Sequence, residues 1–297
     1  MAPVHLGVIL PNYGAALDAE QLASVAVGAE DAGFDSGWVT DHLIVPEEHA
    51  ATYGTIAEAV VSLGFLAART RRLELGVSAL VVPQRQPLVA LKQLTTLDFL
   101  SSGRIVTAVA AGWMEGEFAS LGARYSDRGG VLDEWLSLAN SVFEQMPGRV
   151  HYKGRFFSVD GWMAPGLIRP GGPELWVAGV SRTTLRRAQT TGVWHPVALP
   201  PEELRVMAAE LREQRADSRV ILRIGVYFSP EPRTGADERG RPAIVGPPEW
   251  IATRLSEYID AGCDGFVLNL DHQRPGLEER VRRFAADVAP LLPGRRV

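Results

Sequence analysis

The chain has 297 residues, 46% hydrophobic and 22% charged, with a net charge of −5. That balance is globular, long enough to bury a large core, and with Lys nearly absent it offers no basic stripe for nucleic acid. A single cysteine, Cys263, excludes an internal disulfide and fits a reducing compartment. The opening residues, MAPVHLGVILPNYG, lack a basic n-region and read as a strand rather than a signal peptide, and no apolar run reaches membrane-spanning length. A cytoplasmic protein that engages neither nucleic acid nor membrane is expected.

Strand-like and helix-like segments alternate along the chain. Residues 4–10 form a first apolar run, stopped by Pro11-Asn12. Asp18 is placed to cap a helix with Leu22, Val25, Ala26 and Ala29 on one face, ending at Gly33. Residues 36–40 read as a second strand, followed by Asp41-His42. A helix over 56–70 leads to a third strand at 73–81. Pro87 opens a helix running to Leu100, where a missing N–H is harmless. A fourth strand follows at 104–110, then a helix over 127–145. The pattern lapses at 151–163, which reads as a small aromatic hairpin. A fifth strand (175–178), a helix from Arg182, a weak sixth strand (193–197) and a helix over 201–215 restore it. A seventh strand at 220–228 precedes a polar, Pro- and Gly-containing stretch, 229–245, read as a long loop. A helix from Pro247 to Ala261, an eighth strand at 265–270 and a last helix over 277–291 complete the series.

The unit spanning 73–112 is the densest of these. Its two strands are almost continuously apolar, as parallel strands covered on both faces are. Eight strands in one unbroken βα series predict an α/β fold of the (β/α)₈ TIM-barrel type with insertion segments, as one domain over 1–297. The alternative, a doubly wound sheet, expects a Gly-rich first turn, and the first turn here is Pro11-Asn12-Tyr13-Gly14.

A barrel carries its site at the carboxyl ends of its strands. That rule selects Asn12 and Tyr13 after the first strand, Asp41 and His42 after the second, and Ser78 and Ala79 at the third. It adds Ala111, Gly112 and Trp113 after the fourth, Gly179, Val180 and Ser181 after the fifth, His195 near the sixth, and Asn269 and Asp271 near the eighth. A carboxylate beside an imidazole can orient a proton donor and acceptor near neutral pH. The same Asp41-His42 pair can equally be a capped turn with a packed ring. No HxxxH or HExxH spacing supports a metal, and no GxSxG supports a covalent nucleophile. The run Ala178-Gly179-Val180-Ser181-Arg182 suits an anion: glycine admits a close backbone approach and the next helix opens with free N–H groups. Arg182, Arg186 or Arg187 can add charge, although a capping Ser with solvated arginines has the same sequence. Of Trp38, Trp113, Trp162, Trp176 and Trp194, most are expected to pack in the core, and Trp113 to face the mouth.

The segments GVILPNYG (7–14), AEDAGFDSGWVTDHLIVP (29–46) and RLELGVSALVVPQRQPLVALKQLTTLDFLSSGRIVTAVAAGWMEGEFASLG (72–122) resemble the luciferase-like monooxygenase superfamily. RGGVLDEWL (128–136), LWVAGVSRTTLRRAQTTGVWHPV (175–197) and GPPEWIATRLSEYIDAGCDGFVLNL (246–270) extend the resemblance over nearly the whole chain. TDH, the PxRxPL helix entry, SGR and AGWMEGEF are most similar to its F420-dependent oxidoreductases. The resemblance implies a TIM barrel with an extra segment, often a homodimer, holding a flavin or deazaflavin at its mouth. F420 carries hydride at C5, so the cofactor supplies the chemistry and the protein the orientation. It also implies a bulge with a non-prolyl cis peptide at Ser78-Ala79 behind the tricyclic ring. Ring contacts would come from Asp41, Ala111 and Gly112, with phosphate contacts from Gly179, Val180 and Ser181. His42 matches the active-site histidine, with Asp41 holding its ring, and Asn12, Tyr13, Trp113 and His195 complete the expected substrate pocket. The implied reaction is hydride transfer between F420 and a small organic molecule, with His42 as proton donor or acceptor. The alternative is an FMN-dependent monooxygenase using O₂ and reduced flavin from a partner flavin reductase, and a barrel that only binds flavin is a third reading. Sugar-phosphate dehydrogenases of the group carry Glu at the position of Trp113 and Trp at that of Ile44, which argues against glucose 6-phosphate as substrate. The loop 45–56 is shorter than in many relatives, and Ala110-Ala111-Gly112 replaces the usual Gly-x-Gly, narrowing the ring site by a methyl.

Overall fold

The computed structural model describes residues 3–15, 17–236, 240 and 242–295. Its strands are β1 (His5–Ile9), β2 (Ser36–Val39), β3 (Glu74–Val81), β4 (Ile105–Ala110), β5 (Gly148–Lys153) and β6 (Ser158–Met163) in the first half. The second half adds β7 (Glu174–Ala178), β8 (Val193–His195), β9 (Arg219–Phe228), β10 (Arg233–Ala236), β11 (Pro242–Gly246) and β12 (Gly265–Asn269). The helices are α1 (Ala19–Asp31), α2 (Ala50–Tyr53), α3 (Ala59–Arg69), α4 (Pro87–Leu100) and α5 (Glu115–Ser120), then α6 (Arg128–Gln145), α7 (Arg182–Thr191), α8 (Pro201–Gln214), α9 (Pro248–Asp260) and α10 (Leu277–Arg283).

The eight strands expected from the sequence pair in parallel in the order β12-β1-β2-β3-β4-β7-β8-β9, and β9 returns to β12. This closes a (β/α)₈ barrel. Successive residues of each strand face opposite ways. One set, with Leu6, Val8, Val39, Leu75 and Val77, packs outward under the helices. The other, with Ile9, Trp38, Val106, Trp176, Ile221 and Val267, fills the barrel. The Trp38 indole fits because its neighbours at that level are glycines: a Cβ on Gly76 would lie 2.5 Å from it and one on Gly7 2.6 Å. Trp38, Trp176 and Trp194 are fully buried, as expected, whereas Trp162 stands 78% exposed on the β5–β6 hairpin.

Local signals explain most helix bounds. The Asp18 carboxylate caps α1 by accepting from Gln21 N at 2.8 Å, and Pro87 occupies the first turn of α4. Two segments depart from expectation. The stretch 229–245 is not simply a loop: β11 adds in parallel to β9 and β10 folds back against it. Its Pro and Gly content hid two short strands whose pairing partners are distant in sequence. The short helices α2 and α5 were also missed, being under two turns each. No helix among the described residues is long and apolar enough to cross a membrane.

Candidate active site

At the carboxyl end of β3 the ladder with β4 slips by one residue between Ser78 and Leu80, leaving Ala79 without a partner. The Ser78-Ala79 peptide bond is cis, as the resemblance implies. The bulge is braced from inside the barrel. Arg223 of β9 donates to the Ser78 carbonyl and, at 3.2 Å, to its Oγ. The Ser78 hydroxyl donates in turn to His195 Nε2 at 2.8 Å, and His195 Nδ1–H donates to the Ile221 carbonyl at 2.7 Å. Only this tautomer fits, because a carbonyl can only accept. Burial pushes His195 down to about 3, so the ring is neutral. His195 is fully buried and stacked on Trp38 at 5.7 Å. It therefore supports the bulge from below and does not line the substrate pocket expected for it.

Asn12 needs a similar correction. It is fully buried, accepts from Thr40 N at 2.8 Å, and donates to the carbonyls of Thr40 and Ala57. Every polar atom of its side chain is spent tying the ends of β1 and β2 to the chain before α3, so none is left for a substrate.

Asp41 and His42 are adjacent in sequence but hold different partners. The Asp41 carboxylate accepts from Val81 N at 2.9 Å and from Arg85 Nη2 at 2.8 Å. The same Nη2 reaches Glu58 at 2.9 Å. Burial raises the Asp41 carboxyl above its ordinary range, with Arg85 opposing. Asp41 thus ties the end of β2 to the bulged end of β3, and it does not hold the His42 ring.

That role falls to Glu117 of α5. Its Oε2 lies 2.9 Å from His42 Nδ1, and its Oε1 accepts from Leu43 N at 2.7 Å. Burial works to raise Glu117, but the hydrogen bonds from His42 and Leu43 outweigh it, and the carboxyl sits below its ordinary value. An ionised carboxylate only accepts, so Nδ1 carries a proton and Nε2 is the ring nitrogen that Glu117 does not hold. The Gln84 amide lies against the same carboxylate but makes no hydrogen bond of good geometry.

Rings enclose this pair. His42 packs on Tyr53 at 4.4 Å, Tyr53 on Tyr13 at 5.4 Å, and Tyr13 on His272 at 4.5 Å. On the other side Trp113, 54% exposed, sets its edge against His42 at 6.1 Å and His49 at 5.1 Å. The orientation of Trp113 follows from Gly112, which has φ +88 and no room for a Cβ: one would lie 2.6 Å from Val81 and 2.7 Å from Phe118.

The β7–α7 turn is open. Gly179 has φ +133, Val180 and Ser181 are exposed, and Ser181 caps α7 by accepting from Thr184 N at 3.1 Å. The arginines do not converge on this turn: Arg182 pairs with Glu210, Arg187 with Asp133 at 2.6 Å, and Arg186 reaches Thr183. Charge at this turn is therefore left to the N–H groups of the helix. Cys263 is buried beneath the barrel with its thiol pushed up to about 12, chiefly by burial, which removes it as a nucleophile.

Sequence reasoning missed Glu117, Arg85, Arg223 and Tyr53. Arg223 had a signal, as a lone charge in the apolar strand VILRIGV. Glu117 lies within the AGWMEGEF run, but nothing local reveals its partner, which is 75 residues away.

The fold and this mouth define a class. The model of the luciferase-like monooxygenase family matches residues 3–238, and the chain belongs to that family. Among its relatives, the F420-dependent glucose-6-phosphate dehydrogenase of Amycolatopsis mediterranei is 24% identical, over 91% of this chain and 94% of that one. The FMNH₂-dependent dimethylsulfone monooxygenase of Pseudomonas fluorescens is 26% identical, over 85% of this chain and 75% of that one. A monooxygenase from Streptomyces bottropensis shares the fold with TM-score 0.80 at 19% identity, covering 96% of this chain and 99% of that one. The family is one of oxidoreductases, and its members divide between the two cofactors.

Proposed function

We propose that the protein is an F420-dependent oxidoreductase that moves a hydride between C5 of coenzyme F420 and a small organic substrate. The observation that carries this reading is the buried Glu117–His42 pair one strand away from the Ser78-Ala79 bulge. A hydride passing to or from a carbon must be matched by a proton at the neighbouring atom, and His42 Nε2 is the group poised for it. When bound, the cofactor would give or take the hydride; everything else falls to the chain.

The residues suit such a group. The backbone at Ser78 and Ala79 forms a shelf that Arg223 and His195 keep from yielding. Ala111 and Gly112, with Trp113, form the adjoining wall. The exposed turn of Gly179, Val180 and Ser181 presents the N-terminus of α7 to a phosphate. Asp41 lies next to the shelf through its bond to Val81 N. Tyr53 and Trp113 flank His42, and Tyr13, packed on Tyr53, stands beside them where a substrate would sit.

The FMN-dependent relative supports a second reading, an FMN monooxygenase that receives reduced flavin from a reductase and uses O₂. Titration of the protein with F420 and with FMN side by side separates the two. Tight binding of reduced FMN without binding of F420 would sink the first. His42→Ala is expected to abolish turnover while cofactor binding persists.

We further read the chain as one domain that works as a homodimer in the cytoplasm. Val61 on α3 and Val89, Phe99 and Leu100 on α4 are exposed apolar residues on neighbouring helices, and exposed apolar side chains suit a second copy. Light scattering should give about twice the chain mass of 32.2 kDa.

A further inference from the structure

Beside the His42 site lies a cavity of about 750 Å³ that the reading above does not use. It is bounded by Tyr13 and by Thr52 of α2, by the end of β9 with Tyr227 and Phe228, by Arg233 and Ala236 of β10 and Val245 of β11, and by the turn after β12. Tyr13 is shared: its ring forms the inner wall and also touches Tyr53, which packs on His42.

The walls are built rather than loose. Arg280 of α10 clamps the turn after β12 by donating to four carbonyls, those of Leu270, Asp271, Arg274 and Pro275, at 2.7 to 2.8 Å. Asp271 is held there at φ +62. His272 is fixed by Nδ1–H donating to Asn269 Oδ1 at 2.8 Å and by its contact with Tyr13.

The lining is mixed, with Ser229, Asn269 and Gln273 beside apolar and charged side chains. Its inner end is aromatic and aliphatic, with Tyr13 and Val245 almost fully buried. At the open end stand Arg233, Arg274 and Asp271. Arg274 and Asp271 neutralise one another at 3.4 Å. Among the described residues the Arg233 side chain has no ion-pair or hydrogen-bond partner, so its guanidinium can take an anion.

We infer that this cavity is a subsite for a small organic acid, a flat apolar body seated against Tyr13 with its carboxylate at Arg233. That the acid is the substrate rests on the function proposed above; that it binds here does not.

Calorimetric titration of the full chain with 2-naphthoate and with its uncharged amide, 2-naphthamide, tests the inference. Saturable one-to-one binding of the acid is expected, at least tenfold tighter than the amide. Arg233→Gln should erase that preference, and Thr52→Trp, which fills the cavity, should remove binding of both, with F420 or FMN affinity unchanged in each variant. Equal binding of acid and amide, a preference that survives Arg233→Gln, binding that survives Thr52→Trp, or no binding at all would overturn it. Loss of the naphthoate site with intact F420 titration refutes the subsite alone. Naphthoate binding without F420 binding refutes the cofactor reading alone.

Discussion

Glu117 carries a negative charge to a place where only 1% of its side chain is accessible. An isolated carboxylate would not stay ionised there; its pairing with His42 and with Leu43 N is what holds it so. The pair puts a hydrogen on Nδ1 of His42, and under the function proposed above Glu117 positions the ring without touching the reacting atoms. Glu117→Gln preserves shape but offers the ring an amide that can donate or accept. Turnover is expected to fall about 10- to 100-fold, with cofactor affinity within threefold of the parent. Glu117→Asp should recover part of the loss, and steady-state rates beside equilibrium titration check both. A fall in cofactor affinity matching the fall in rate would instead mark a structural role. At this scale the sequence was only half legible. The strand-end rule selected His42, Trp113 and Ser78, which lie after β2, after β4 and at the bulged end of β3. It also selected His195 and Asn12, because it cannot tell a side chain that looks out of the mouth from one that turns down into the barrel or across to a loop.

At the element scale, one turn of the mouth tolerates no side chain. At the β7–α7 turn, a Cβ on Gly179 would lie 2.8 Å from Thr184 Oγ1, and the φ of +133 is unfavourable for any other residue. Gly179→Ala should distort the first turn of α7 and weaken binding of the phosphate-bearing cofactor about tenfold or more. Affinity for the same chromophore without its phosphate should be unchanged, a comparison that fluorescence titration makes directly. Equal losses for both forms would place the phosphate elsewhere. The boundaries of β3, α4 and β4 were readable because Pro83, Pro87 and Gly103 punctuate them locally. The β10–β11 hairpin was not, since Pro and Gly at 229–245 signal turns while the pairing of β11 depends on β9 being its neighbour.

Over the whole molecule, two histidines are kept neutral inside the barrel at opposite levels. Burial lowers His5 to about 4 and His195 to about 3, from an ordinary value of 6.5. Below 6.5 the unfolded chain takes up protons that the folded chain refuses, so each depressed histidine costs stability as the pH falls from 6.5 toward its folded value. Asp41, raised by burial, works in the opposite sense. The clean measurement is therefore a difference. Relative to His195→Gln, the parent should lose about 2 kcal/mol of stability between pH 7 and pH 5, as urea denaturation at the two pH values would show; parallel pH dependence in both proteins would contradict a neutral His195. The barrel itself was determined by sequence alone. Its eight strands and the helices between them are written in hydrophobic period and in turn residues, which act over a few positions and need no partner. What only the tertiary structure decided is who meets whom: Glu117 with His42, Arg85 with Asp41, Arg223 and His195 with Ser78, and Arg233 with an open cavity. Those encounters depend on the closure of the barrel and the path of its loops, and no local pattern in the chain encodes a neighbour that arrives from 75 or 145 residues away.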